Sequence, residues 1–123
     1  MLFSWDKTAF IELLGVVPVE STDFGANYSF EIKQPSLSLI LGLNEDTGDC
    51  SVLVYCPGQD EAVFRAVYLG SPGARVVRDK RGHFIELGAP GSFEGRYDSV
   101  QPLHDGLRIR VEPHVSVETF DGA

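Results

Sequence analysis

The stretch "DCSVLVYC", residues 49–56, holds both cysteines of the chain, and its reading decides what kind of fold surrounds it. Its even positions, Cys50, Val52, Val54 and Cys56, form an apolar row, an unreacted cysteine behaving as a small hydrophobe. The odd positions are Asp49, Ser51, Leu53 and Tyr55. A period of two is the mark of a half-buried β-strand. In a continuous strand the two sulfurs point the same way about 20 Å apart at ~3.3 Å per residue, whereas a disulfide needs Cα atoms within about 7 Å. The thiols therefore neither bridge nor share a metal ion. No neighbouring cation or helix start lowers a thiol pKa, so nucleophilic use has no support. Free core thiols fit a reducing compartment.

The same period continues on both sides. In "YSFEI" (28–32) Tyr28, Phe30 and Ile32 share a face; in "LSLILGL" (37–43) Leu37, Leu39, Leu41 and Leu43 do, with Ile40 on the other. In "LRIRVEPHVSVE" (107–118) Leu107, Ile109, Val111, Val115 and Val117 oppose Arg108, Arg110, Glu112, His114, Ser116 and Glu118. Pro113 has no N–H for a ladder, so that strand is expected at an edge, bulged or broken. Turn signals at 44–49, 57–60, 70–73 and 79–82 separate the runs, and short connections imply an antiparallel meander over residues 24–119.

Helical spacing occurs only in "SWDKTAFIELLG" (4–15), with Ser4 as the expected N-cap, Asp6 in the first turn, Phe10, Leu13 and Leu14 inward and Gly15 as the stop. An 11-residue helix is about 16 Å long, and seven strands span roughly 29 Å. The sheet must curl to bury its apolar face. The expectation is one α+β domain over residues 1–123, mainly antiparallel: an N-terminal helix (1–15) packed on a curled six- to seven-stranded meander, half-barrel or sandwich-like.

A net charge of -8 argues against nucleic acid, whose nonspecific affinity comes from cations meeting phosphates. No apolar run reaches the roughly 18 residues of a membrane span. The N-terminus lacks a basic start followed by an apolar stretch, so no secretory signal is read there and a cytoplasmic location is expected. The exception to the acidity is "RVVRDKR" (75–81), a local +3 that reads as a solvated hairpin end.

Catalytic and metal chemistry finds little footing. Glu112 and His114 share a strand face, as metal ligands can, yet two ligands do not make a site, and a third from His83 or His104 would have to arrive from a distant hairpin. "HDG" (104–106) is ordinary turn chemistry. "NEDTGD" (44–49) lacks the ligand spacing of a calcium loop. Nothing matches a phosphate-binding loop, a dinucleotide fingerprint or a nucleophile elbow. No metal and no cofactor is expected.

The irregular stretch 88–106 holds four glycines and two prolines. Loops of that length in small domains are often functional. In it Phe93 and Tyr97 alternate with Glu94, Arg96 and Asp98, a composition suited either to an interface or to a hidden strand whose rings return to the core. The leading expectation is a small acidic, non-enzymatic protein-binding module, of the physical type of inhibitor or immunity proteins, with a protein partner of basic character. Its candidate contacts are Phe93, Arg96, Tyr97, Arg108, Arg110 and Glu112. Two alternatives stand beside it. One is a ligand-binding protein or small enzyme with a pocket inside the sheet, reached by His83, Glu86 or Arg108. The other is a subunit of a larger assembly, self-association being left open.

Overall fold

The computed structural model describes residues 3–122. Helix α1 (Lys7–Leu14) is followed by nine described strands: β1 (Val19–Ser21), β2 (Asn27–Lys33), β3 (Ser38–Asn44), β4 (Cys50–Tyr55), β5 (Phe64–Tyr68), β6 (Ala74–Asp79), β7 (Gly82–Gly88), β8 (Asp105–Arg110) and β9 (Ser116–Asp121). Every strand pairing is antiparallel and joins neighbours in sequence. The protein is thus α+β and mostly antiparallel sheet.

The strands form two sheets, β1 to β5 and β6 to β9, where the sequence suggested a curled meander of six or seven strands, half-barrel or sandwich-like. Three features account for the differences in sheet division and strand count. At residues 70–73 the chain leaves the first sheet: Gly70 has φ 78°, and Pro72 has no N–H to continue a ladder. Ser71 is pinned at this crossing, its N–H donating to Gly48 O (2.8 Å) and its hydroxyl to Gly88 O (2.5 Å). The "VES" segment forms edge strand β1, ahead of the expected start of the sheet at residue 24. The long run 107–118 is not one strand; it breaks around Pro113 into the β8–β9 hairpin. Its faces survive the reversal because the pairing sets Ile109 opposite Val117 and Arg108 opposite Glu118.

Both sheets turn an alternate row onto one shared core. Phe30, Ile32, Leu39, Leu41, Leu43, Cys50, Val52 and Val54 come from the first sheet; Ala74, Ile85, Leu87, Leu107 and Ile109 come from the second. Gln34, in the β2–β3 turn, ties the two together: its amide donates to Val111 O (2.7 Å) and accepts from Val115 N–H (2.8 Å).

Phe10 and Leu14 of α1 are buried in this core, as their spacing implied. The N-cap, however, is Asp6, whose carboxylate accepts from Ala9 N–H (3.1 Å); Gly15 ends the helix at φ 75° with its N–H on Ile11 O. Ser4 is taken up elsewhere, bridging Gly73 beside β6 with its N–H on Pro72 O and its carbonyl accepting from Ala74 N–H. The helix is therefore shorter than the expected 1–15, of which residues 1 and 2 lie outside the described part. No described helix is long and apolar enough to cross a membrane.

Candidate functional site

The β7–β8 connection, expected as the loop 88–106, contains no strand of its own. It folds over the outer face of the four-stranded sheet. Ser92 N–H donates to Ala89 O and His104 N–H to Ser92 O (3.0 Å each), closing the loop on itself. Phe93 and Tyr97 meet edge to face, 4.9 Å between centroids, and join Leu103 and Phe120 in a satellite core. Tyr97 is only 4% exposed and its hydroxyl donates to Gln101 O (2.8 Å). Burial pushes its phenol pKa up, against a lowering by Arg75. Of the two places the sequence left open for these rings, Tyr97 takes the core, and Phe93 is half-buried beside it. Asp98 organises the following turn, accepting from Val100 and Gln101 N–H; those bonds, led by Gln101, hold its carboxyl below the usual range.

Arg96 lies on the exposed side of the same loop, without a hydrogen bond or ion pair among the described residues. It borders a hollow of about 590 Å³ whose walls are Phe3, Trp5, Pro72, Tyr97 and Glu45. Trp5 is fixed there by its indole N–H on Glu45 Oε2 (2.7 Å) and by edge contacts with Phe10 and Tyr28 (4.9 and 5.0 Å). Nothing in the spacing of Phe3, Trp5 and Glu45 foretold this grouping, since it depends on the N-terminal segment lying beside the β3–β4 turn.

Across the outer face of the second sheet the register aligns Arg75, Glu86, Arg108 and Glu118, one from each strand. Glu86 is 2% exposed and accepts from Arg75 Nε (2.8 Å) and Arg108 Nε (3.3 Å). A buried carboxylate between two cations is a crosslink. The guanidinium groups of Arg81, Arg108 and Arg110 lie 5.2, 5.5 and 4.4 Å from the Phe84 ring, which they help to cover completely; Arg108 also lies 4.6 Å over Phe120. Arg110 donates to Arg81 O (2.8 Å) and faces Glu118. Arg108 and Arg110 are thus brought together, half-buried, while Glu112 is exposed past the end of β8.

Glu112 and His83 instead line a smaller hollow of about 300 Å³ by the end of α1, together with Glu12 and Arg78. The three histidines are exposed, and no group of three or more His, Cys, Asp or Glu among the described residues is placed to hold a metal ion. Both cysteines are free. Cys50 is buried with its thiol on Gly48 O (3.3 Å), and burial first, then Asp49, pushes its pKa up to about 12. Cys56, expected in the same core row, instead lies half-buried just past the end of β4, where the strand stops at Tyr55 before Pro57.

The outer face of the first sheet has a feature that only the register exposes. Val19, Ser29, Gly42, Ser51 and Val67 align across all five strands and, being small in the middle, leave an open trough of about 510 Å³. Charge divides along the chain as well: residues 1–70 hold ten acids and three cations, a net -7 of the total -8. The second sheet and its loop are close to neutral and carry the arginine cluster.

No protein-family model matches this chain, and no curated protein matches it in sequence. Its fold has a solved counterpart. The chain superposes, with a TM-score of 0.75 and 12% identity over 98% of each chain, on one from a contact-dependent growth inhibition toxin–immunity protein complex from Klebsiella pneumoniae 342. At that identity the likeness is one of fold.

Proposed function

We propose that this chain is a small binding module of the immunity or inhibitor type, which acts by docking on a protein partner and carries out no reaction of its own. The reading is carried by the end-to-end correspondence with a chain from a toxin–immunity complex. The net charge of -8 supports it, because an acidic surface speeds encounter with a basic partner. Contact is made through Arg96 and Phe93 on the long loop and through Arg108, Arg110 and Glu112 beyond it, with Tyr97 holding the loop in shape from below. The same proposal has the chain work as one domain in the cytoplasm, where two unpaired thiols persist.

The test begins with affinity capture from the source cell using the intact chain. The captured protein is then purified and titrated by surface plasmon resonance over a salt series. A stoichiometric complex whose on-rate falls with salt is expected, with Arg96→Ala raising the off-rate. Absence of any stoichiometric protein partner overturns the proposal. The hollow walled by Phe3, Trp5 and Tyr97 favours a second reading, a small-ligand site, since it combines aromatic walls with two charged groups, Glu45 and Arg96. A small molecule that copurifies stoichiometrically and is lost in Trp5→Ala would favour that reading instead.

A further inference from the structure

We infer that β5 is the seat of a symmetric interface, on which a second copy of this chain pairs strand to strand. Sheet edges invite pairing unless something blunts them, and the other three edges are blunted. β1 has three residues and follows Pro18. β6 is flanked by α1 and by the Ser4 segment. β9 follows Pro113 and carries Glu118 and Asp121. β5 has five residues, one charge and no proline, and no main-chain hydrogen bond outside the β4 ladder reaches Phe64–Tyr68 among the described residues. Val63, Val67 and Leu69 stand along it at 59%, 57% and 68% exposure.

The sequence of this edge complements itself. With a two-fold axis at Ala66, antiparallel pairing sets Phe64 against Tyr68 of the second copy on the inner face, both half-buried in the monomer. On the outer face it sets Arg65 against Val67, and just beyond the strand ends Val63 against Leu69. Aromatic and aliphatic partners meet, and no like charges oppose each other. Moving the axis to Arg65 would place two arginines face to face; moving it to Val67 would leave Phe64 without a partner. A two-fold operation also closes the assembly at two copies, so the edge is used up.

Sedimentation velocity over a concentration series tests this with the intact chain. A mass-doubling equilibrium is expected, strengthened by salt because each copy carries -8. Val67→Lys places a cation opposite Arg65 twice per interface and should weaken association by about tenfold or more. The double variant Arg65→Glu/Val67→Lys restores opposite charges and should recover the dimer. Both positions are exposed, so circular dichroism should show an unchanged fold. A wild-type chain that stays monomeric, a dimer indifferent to Val67→Lys, or a double variant that fails to recover would each overturn the inference. The partner capture above is read separately, and its failure leaves this result unaffected.

Discussion

Cys50 shows how burial sets chemistry at a single residue. Its thiol is held neutral to about pH 12, against an ordinary value of 9.0. Raising the folded pKa of an acid means that the unfolded chain releases its proton first. The contribution of this thiol is therefore constant below about pH 9 and is lost as pH rises from there toward 12, by ~4 kcal/mol at full titration. Urea unfolding of wild type and Cys50→Ala should accordingly diverge in pH dependence above about pH 9, the wild type falling more steeply; parallel profiles would place the thiol in contact with water. Glu86 makes the opposite case, a charge retained inside by two partners, Arg75 and Arg108. Glu86→Ala strands both guanidiniums and should cost about 3–5 kcal/mol in chemical denaturation. A loss under about 1 kcal/mol would mean that solvent screens the cluster.

At the scale of elements, α1 contributes through its buried side more than through its length. An eight-residue helix is too short to persist alone, and Phe10 and Leu14 fasten it to the core. Leu14→Ala should destabilise by about 2–5 kcal/mol, measured by thermal or urea unfolding. A change under about 1 kcal/mol would show that the core closes without it. The long β7–β8 loop behaves as an element too, because Tyr97, Leu103 and Phe120 give it a core of its own. Gly106, the second residue of β8, sits at φ 152°, and a Cβ there would run into Leu87 O. No other residue fits that approach, so Gly106→Ala should lower the melting temperature strongly and release the loop, seen as faster amide exchange at 89–104.

Over the whole molecule the dominant asymmetry is electrostatic. Residues 1–70 carry nearly all of the net charge, while the second sheet presents arginines. Once a partner is in hand, neutralising Asp46 and Asp49 should slow association and flatten its salt dependence, whereas Arg96→Ala should act on dissociation. Equal effects on both rates from either change would remove the division of labour between the two halves.

Local chemistry was enough for much of this. The period of two in 28–32, 37–43 and 49–56 marked the inward rows, since which face a side chain takes is set by the chain's own pleat. The same pattern removed the disulfide, and the spacing of Phe10 and Leu14 chose the buried side of the helix. Even the wrongly continuous strand 107–118 had its faces assigned correctly, because the hairpin pairing keeps Ile109 and Val117 on one side. What depended on residues far apart in the chain could not be read this way. The division into two sheets, the capture of Ser4 by Gly73, the hollow between Trp5 and Arg96, and the trough across Gly42 arise from pairing partners that no local pattern names. Glu86 states the difference most plainly: the sequence offered it only as a group reaching into a pocket inside the sheet, and the tertiary structure, by folding the long loop over the outer face of β7 and bringing Arg75 and Arg108 to either side, buries its carboxylate there.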